Sequence, residues 1–203
     1  MSRSLEIILG SQSPRRRELM AGLDLPFTAI NIDADESYPA DLQGGDIPYY
    51  ISRAKAQAYA PNLKPDQLLI TADTIVWLDG HMLGKPHDET EAFAMLRALS
   101  GKTHQVYTAV TFARLDVSTS RDLEISTIVD KTDVTFSELS DAEIHHYIDK
   151  YRPFDKAGAY GVQEWIGYIA CTGMNGSYFN VMGFPVHLVY RYLQTQFSNF
   201  NFS

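Results

Sequence analysis

The sequence has one cysteine, Cys171, in 203 residues, and it lacks any long apolar run. A single cysteine excludes a disulfide within the chain and fits a reducing compartment. No segment approaches the roughly 18 consecutive apolar residues that a membrane span needs, so we expect no membrane partner. The N-terminus has one short apolar run and no small-residue cleavage site. We therefore expect no signal peptide and a cytoplasmic protein.

Basic charge is also scarce, because the formal net charge is −8. Proteins that bind nucleic-acid polymers usually carry a broad basic face, so this balance argues against such a partner. A small anion needs only a local basic cluster and stays possible. The length predicts a single domain over residues 1–203, or two small lobes around one cleft, with a loose tail over 197–203.

Several catalytic motifs are missing from the chain. It has neither the nucleophile elbow G-x-S-x-G nor the phosphate loop G-x-x-x-x-G-K-[ST], and its histidines show no metal-ligand spacing. The remaining chemistry consists of carboxylates, arginines and lysines, with a divalent metal as the expected helper. That set suits hydrolysis of a polyphosphate by water.

Apolar periodicity predicts alternating strands and helices with hairpins in the middle, which favours a mixed α/β sheet. Capping boxes are expected at Asp88 with Glu91 and at Ser140 with Glu143. A polar turn near 118–121 should join two of the strands. The expected strands are 5–9, 27–32, 68–78, 106–115, 125–136 and 168–171, and the expected helices are 14–23, 47–60, 88–101, 140–151 and 185–194.

An arginine-rich turn follows the first strand. Ser13 is a good N-cap and Pro14 fits the first helical position. Arg15, Arg16 and Arg17 then lie at the positive end of the helix dipole, where an anion would explain them. Helical phase favours Arg15 and Arg16 as ligands and turns Arg17 to solvent. Taken alone, the turn also fits a plain basic surface.

Asp73 interrupts the most apolar segment of the chain, between the small residues Ala72 and Thr74. A carboxylate in such a place costs several kcal/mol unless it is paired or bound to a metal. The alternative is a structural aspartate that bonds to backbone at a bulge. Glu36 lies in an acidic loop and would matter only if the fold brings it near Asp73.

Three lysines are candidate anion ligands. Lys85 sits on a Gly/Pro turn, Lys156 lies among small residues that let a ligand approach, and Lys55 lies on an expected helix. Each of them alone also fits an ordinary surface lysine.

Together these segments resemble the Maf family, in that family's order and over roughly residues 5–195. The segment Glu164–Gly167 departs from the resemblance, since it replaces a more glycine-rich run. The matching segments are Ser11-Gln12-Ser13-Pro14-Arg15-Arg16, Asp35-Glu36-Ser37, Thr71-Ala72-Asp73-Thr74-Ile75-Val76, Leu83-Gly84-Lys85-Pro86, Leu99-Ser100-Gly101-Lys102-Thr103-His104, Asp155-Lys156-Ala157-Gly158-Ala159-Tyr160-Gly161-Val162-Gln163, Gly176-Ser177-Tyr178-Phe179-Asn180-Val181 and Gly183-Phe184-Pro185.

The resemblance implies a two-lobed α/β fold shared with the inosine triphosphate pyrophosphatases, with a mixed sheet, helices and a central cleft. It also implies hydrolysis of a nucleoside triphosphate to the monophosphate and pyrophosphate with a divalent metal, Mg²⁺ or Mn²⁺, in a homodimer. Asp73 matches the proton acceptor and, with Glu36, the metal groups. Positions tied to substrate choice are matched by Arg15, Thr74 and Gln163, and phosphate groups by Ser11, Arg16, Lys55, Lys85 and Lys156.

Thr74 favours the dTTP/UTP branch, because the branch that takes 7-methyl-GTP carries Gln after the catalytic aspartate. Two alternatives stay open from the residues alone. One is a pyrophosphatase that acts on inosine or xanthosine triphosphate, and the other is a nucleotide-binding regulator of cell division without turnover.

Overall fold

The computed structural model describes residues 5–116 and 122–196. The polar turn expected near 118–121 and the tail 197–203 lie outside these described residues. The strands are Glu6–Gly10 (β1), Phe27–Ile30 (β2), Gln67–Leu78 (β3), His81–Leu83 (β4), Thr103–Leu115 (β5), Leu123–Phe136 (β6) and Cys171–Asn175 (β7). The α-helices are Pro14–Ala21 (α1), Asp46–Tyr59 (α2), Glu89–Leu99 (α3), Asp141–Tyr151 (α4), Trp165–Ala170 (α5), Tyr178–Val181 (α6) and Val186–Gln196 (α7).

The strands form one mixed sheet in the order β2-β1-β3-β5-β6-β7, with β4 added to β3. β1 runs parallel to both β2 and β3, whereas β3, β5, β6 and β7 pair antiparallel in turn. The mixed α/β sheet expected from the sequence is thus confirmed. Its parallel and antiparallel halves meet at β3, which belongs to both.

One edge of β3 is only partly covered. β5 pairs with that strand along one edge from Leu69 to Trp77, so β1 and β4 share the other edge. β1 ends where Gly10 lies opposite Thr71, and Leu83, the last residue of β4, lies opposite Val76. Residues 72–75 therefore have no strand partner on this edge within the described chain, and the sheet has a gap there.

Apolar side chains cover the sheet on both faces. On one face Met20 of α1 and Val189 of α7 pack against β1, β3 and β5. On the other face Ala56 of α2 packs against Ile8 and Leu69. A third cluster joins α3, α4 and α5 to the antiparallel half. Among the described residues no helix is long and apolar enough to cross a bilayer.

Two local expectations are wrong. The strand expected at 168–171 is mostly helix α5, and β7 begins at Cys171, because a short apolar run does not distinguish a strand from a buried helix. The box at Asp88 is only half formed, since Glu91 turns its carboxylate to His87. The box at Ser140 and Glu143 is confirmed.

Candidate active site

A cleft of about 640 Å³ opens at the gap in the sheet edge, beyond the carboxyl end of β1. Ligand sites of open α/β sheets usually lie at this end of parallel strands, and the volume is typical of a small-molecule site. The structure brings the ten site residues expected from the sequence to its walls. They are Ser11, Arg15, Arg16, Glu36, Lys55, Asp73, Thr74, Lys85, Lys156 and Gln163.

Strand register places Asp73 in the cleft although it lies in the middle of a buried strand. β1 ends two residues earlier, opposite Thr71, so no strand of the described chain covers this edge at Asp73. The partner across β5 is Ala109, whose small side chain leaves room for the carboxylate. Alternation along β3 turns Asp73 toward α2 and turns its neighbour Thr74 to the opposite face.

Lys55 holds the Asp73 carboxylate. Its Nζ donates to Asp73 Oδ1 at 2.8 Å and lies 2.9 Å from Glu36 Oε1. We call these three residues the Asp73 cluster. Only 12% of the Lys55 and of the Asp73 side chain is exposed, so water screens this ion pair little, whereas 55% of the Glu36 side chain is exposed.

The two carboxylates of the Asp73 cluster titrate differently. Burial raises the pKa of Asp73 above its ordinary value, although the charges of Lys55 and Arg16 oppose the rise. Burial alone would also raise the pKa of Glu36, but the hydrogen bond and charge of Lys55 outweigh it and hold that pKa below its ordinary value. Glu36 therefore loses its proton more readily than an ordinary glutamate, whereas Asp73 has an increased proton affinity.

Arg16 joins helix α1 to the bare sheet edge. Its guanidinium donates to the carbonyls of Gly183 and Ala72, both at 2.8 Å, and to Thr74 Oγ1 at 2.9 Å. Three of its five N–H donors are thus bound to protein, which leaves two for a ligand. Arg17 is exposed, as helical phase predicts, and donates to the Ser11 carbonyl.

A second wall of the cleft carries another group of paired charges. Lys156 Nζ lies 2.8 Å from Asp155 Oδ1 and 3.1 Å from Glu164 Oε1, while Arg15 Nη1 donates to Asp155 Oδ2 at 3.0 Å. We call these four residues the Lys156 cluster. Burial raises the pKa of Asp155, but its hydrogen bonds to Lys156 and Arg15 prevail and keep that pKa below its ordinary value.

Three further residues complete the walls. Lys85 is exposed and, within residues 5–116 and 122–196, forms no ion pair, so its charge is free to meet an anion. Gln163 is half-buried, and no hydrogen bond to another described residue engages its amide. Ser11 is buried, and its hydroxyl accepts from the backbone N–H of Ser13.

Sequence reasoning missed several groups that shape the cleft. Gly183 supplies a carbonyl to Arg16. Its φ of +101° favours glycine, and a Cβ there would lie 3.2 Å from Thr74 Oγ1, a tight contact. Asp155 was noted only as part of a motif. The sequence gives only a weak indication of the pair between Glu164 and Lys156: Glu164 is the first residue of the segment that departs from the resemblance.

The fold and the site together define an α/β protein with a cleft that is lined by arginines and lysines and contains a buried carboxylate. Residues 6–196 match the family model described as Maf-like protein. The chain therefore belongs to the Maf family.

Curated relatives match nearly the whole chain. The dTTP/UTP pyrophosphatase of Bacteroides thetaiotaomicron is 53% identical over 186 residues, which are 91% of this chain and 93% of the relative. The dTTP/UTP pyrophosphatase of Parabacteroides distasonis is 50% identical over 190 residues, covering 93% and 95%. That of Flavobacterium psychrophilum is 48% identical over 188 residues, covering 93% of both chains.

Solved structures are more distant. The Ham1 protein of Staphylococcus aureus aligns with a TM-score of 0.45 and 14% identity over 67% of this chain and 72% of that one. A HAM1 protein from Coxiella burnetii aligns with a TM-score of 0.38 and 16% identity, covering 64% and 73%.

Proposed function

We propose that this chain is a nucleoside triphosphate pyrophosphatase that hydrolyses dTTP and UTP to the monophosphate and pyrophosphate. The observation that carries the proposal is the buried Asp73 carboxylate in a cleft walled by Arg15, Arg16, Lys85 and Lys156. The names of relatives at about 50% identity support the pyrimidine substrates.

In the proposed reaction, Asp73 takes a proton from the water that attacks the α-phosphorus. Lys55 engages Oδ1, and no described residue donates to Oδ2, so that oxygen can face the water. The oxygen of water bonds to the α-phosphorus as the bond to the bridging oxygen breaks, and pyrophosphate leaves with that electron pair. The raised pKa of Asp73 strengthens the base, while the charge of Lys55 favours its ionised form.

The cations of the cleft hold the triphosphate for that attack. Lys85 forms no ion pair with a described residue, Arg16 has two N–H groups beyond the three bound to protein, and Lys156 also lines the cleft. Fixed cations around a transferring phosphoryl group stabilise the charge that develops on its oxygens. We assign Arg15, Thr74 and Gln163 to nucleotide selection, because they lie on the walls around this charged centre.

The Asp73 cluster fits a divalent cation. Glu36 and Asp73 contact the same ammonium, so their carboxylates lie close enough to share one cation. Among the described residues no group of three or more His, Cys, Asp or Glu side chains could hold a metal. Mg²⁺, which binds through one or two carboxylates, waters and substrate phosphates, suits this donor set, and Mn²⁺ shares its ligand preference. Such an ion would neutralise phosphate charge and orient the triphosphate.

A nucleotide panel tests the proposal. Pyrophosphate release from dTTP, UTP, inosine triphosphate and xanthosine triphosphate is measured with Mg²⁺, with Mn²⁺ and with a chelator. We expect metal-dependent release from dTTP and UTP at the highest kcat/KM. Faster release from the purine nucleotides would indicate a purine-directed enzyme, and nucleotide binding without release would indicate a regulator.

Two further parts of the proposal are a homodimer and a cytoplasmic location. They are supported by the family and by the single cysteine, respectively. Light scattering on the purified protein tests the first, and fractionation of cells tests the second.

A further inference from the structure

Two carboxylates fix the position of Lys156: that of its sequence neighbour Asp155 and that of Glu164. Only 8% of the side chain is exposed, and the Nζ is held between the carboxylates of Asp155 and Glu164. A lysine ammonium on a free four-carbon stem samples many positions, so a lysine held at two points has lost most of that freedom before a ligand arrives.

Glu164 is itself held by a hydrogen bond from the protein core. Its Oε2 accepts a hydrogen bond from the hydroxyl of Tyr147, a fully buried side chain of α4. That hydroxyl also accepts from the backbone N–H of Gly161 at 3.0 Å. The backbone N–H of Glu164 donates to the Gly161 carbonyl at 2.9 Å. The carboxylate is thus fixed to the core on one side and faces the lysine on the other.

Two observations indicate that this orientation serves the cleft. Glu164 occupies the N-cap position of α5, yet its side chain caps no backbone N–H of that helix. A Cβ on Gly161 would lie 2.9 Å from Glu164 Cδ and 3.1 Å from Lys156 Cε, so the glycine makes room for the pair. A carboxylate at an N-cap ordinarily accepts from a backbone N–H of the first helical turn, but that of Glu164 contacts Lys156 instead.

The pair is continuous with the rest of the wall. Asp155 binds Lys156 with one carboxylate oxygen and Arg15 with the other. The buried hydroxyl of Tyr147 is therefore connected, through Glu164, Lys156 and Asp155, to the guanidinium of Arg15 at the mouth of the cleft.

We propose that Glu164 is a positioning residue that fixes the Lys156 ammonium, and through Asp155 the Arg15 guanidinium, for the triphosphate; this rests on the proposed function. Glu164 does not touch the substrate. It reduces the ordering that binding would otherwise require of Lys156.

The test compares Glu164→Gln in two backgrounds. Glutamine keeps an acceptor for Tyr147 and removes the charge that holds Lys156. In the otherwise wild-type enzyme we expect KM for dTTP to rise about fivefold to tenfold, with kcat within about twofold and the melting temperature kept. With Lys156→Gln already present, the same change should alter KM by less than about twofold, because residues that act through one another are not additive.

A matched control is Glu89→Gln. Glu89 pairs with the cation Arg152, and neither side chain lines the cleft, so this variant should leave KM unchanged. If Glu164→Gln does not fold, Tyr147→Phe removes the anchor of the carboxylate and should raise KM in the same direction. An equal effect of Glu164→Gln in both backgrounds, or a folded single variant with unchanged KM, would overturn the inference.

Calorimetric binding of dTTP separates this inference from the proposed function. One outcome is that the wild-type protein releases no pyrophosphate, while Glu164→Gln weakens dTTP binding only when Lys156 is present. That outcome overturns the proposed function and leaves the inference intact. Normal release with dTTP binding unaffected by Glu164→Gln overturns the inference alone. Absence of both release and binding overturns both.

Discussion

The two walls of the cleft contain the same arrangement in different surroundings. On each wall a buried lysine lies between two carboxylates: Lys55 between Asp73 and Glu36, and Lys156 between Asp155 and Glu164. Asp73 belongs to a central strand and only 12% of its side chain is exposed, whereas Asp155 lies in a loop and 59% is exposed.

This difference in solvent access separates the roles of the two walls. Burial prevails at Asp73 and raises its pKa, whereas hydrogen bonds from two cations prevail at Asp155 and lower its pKa. In the proposed mechanism, the same arrangement therefore supplies a base with increased proton affinity on one wall and, on the other, a carboxylate that orients cations.

The largest expected effect on activity distinguishes the carboxylates of the two walls, Asp73 and Asp155. Asp73→Asn keeps the shape but removes the base, so we expect kcat for dTTP to fall by on the order of 10² to 10⁴. Asp155→Asn, the matched change on the other wall, should act mainly on KM and leave kcat within about tenfold. Steady-state kinetics of both variants measure this. Near-normal turnover by Asp73→Asn would remove the assignment of the base.

A second prediction compares the lysines. Lys55→Gln removes the main charge that lowers the pKa of Asp73, so that pKa should rise further. A smaller fraction of Asp73 is then ionised at a given pH, and the acid limb of kcat/KM should move to higher pH. Lys156→Gln should lower kcat/KM by on the order of 10² without moving that limb. Profiles of kcat/KM against pH measure the position of the acid limb. An equal shift of that limb in Lys55→Gln and Lys156→Gln would contradict the separation of roles.

The smallest effect on turnover is expected at His104, a buried residue outside both clusters. Its Nε2 lies 2.7 Å from the hydroxyl of Tyr160, and burial lowers the pKa of His104 to about 4. Between pH 6.5 and that value the unfolded chain binds a proton that the folded chain does not. The free energy of unfolding should therefore fall with decreasing pH, by up to about 3 kcal/mol.

Urea denaturation at pH 7.5 and pH 5 measures this loss. His104→Gln should show a smaller loss between the two pH values, since glutamine does not titrate. Turnover at pH 7.5 should stay close to wild type, which would distinguish His104 from the residues of the two clusters. A pH dependence of stability equal to that of the wild-type protein would show that other groups cause it.

The sequence predicts those site residues that an unusual local pattern marks. Asp73 was recognisable because a charge in an apolar run needs an explanation, and the arginine turn because it follows a strand and opens a helix. The roles of the site residues stay predictions. What the sequence could not show is which oxygen each cation meets, since these contacts join distant segments, such as Arg16 with Gly183.

The errors have the same physical origin. Helix α5 has six residues, too few to show a helical period, so its apolar run fits a strand equally well. The anchoring of Glu164 by Tyr147 depends on how α4 packs against the antiparallel half, and no local pattern encodes that packing.

The bare edge of β3 also constrains how the gene can change. Side chains alternate along a strand, so inserting or deleting one residue between Thr71 and Asp73 would exchange the faces of Asp73 and Thr74. The carboxylate would then face Arg16 and Gly183, and the hydroxyl would face Lys55. Substitutions elsewhere on the walls change the affinity of the cleft by degrees, whereas a change of length in this strand would exchange its two faces in one step.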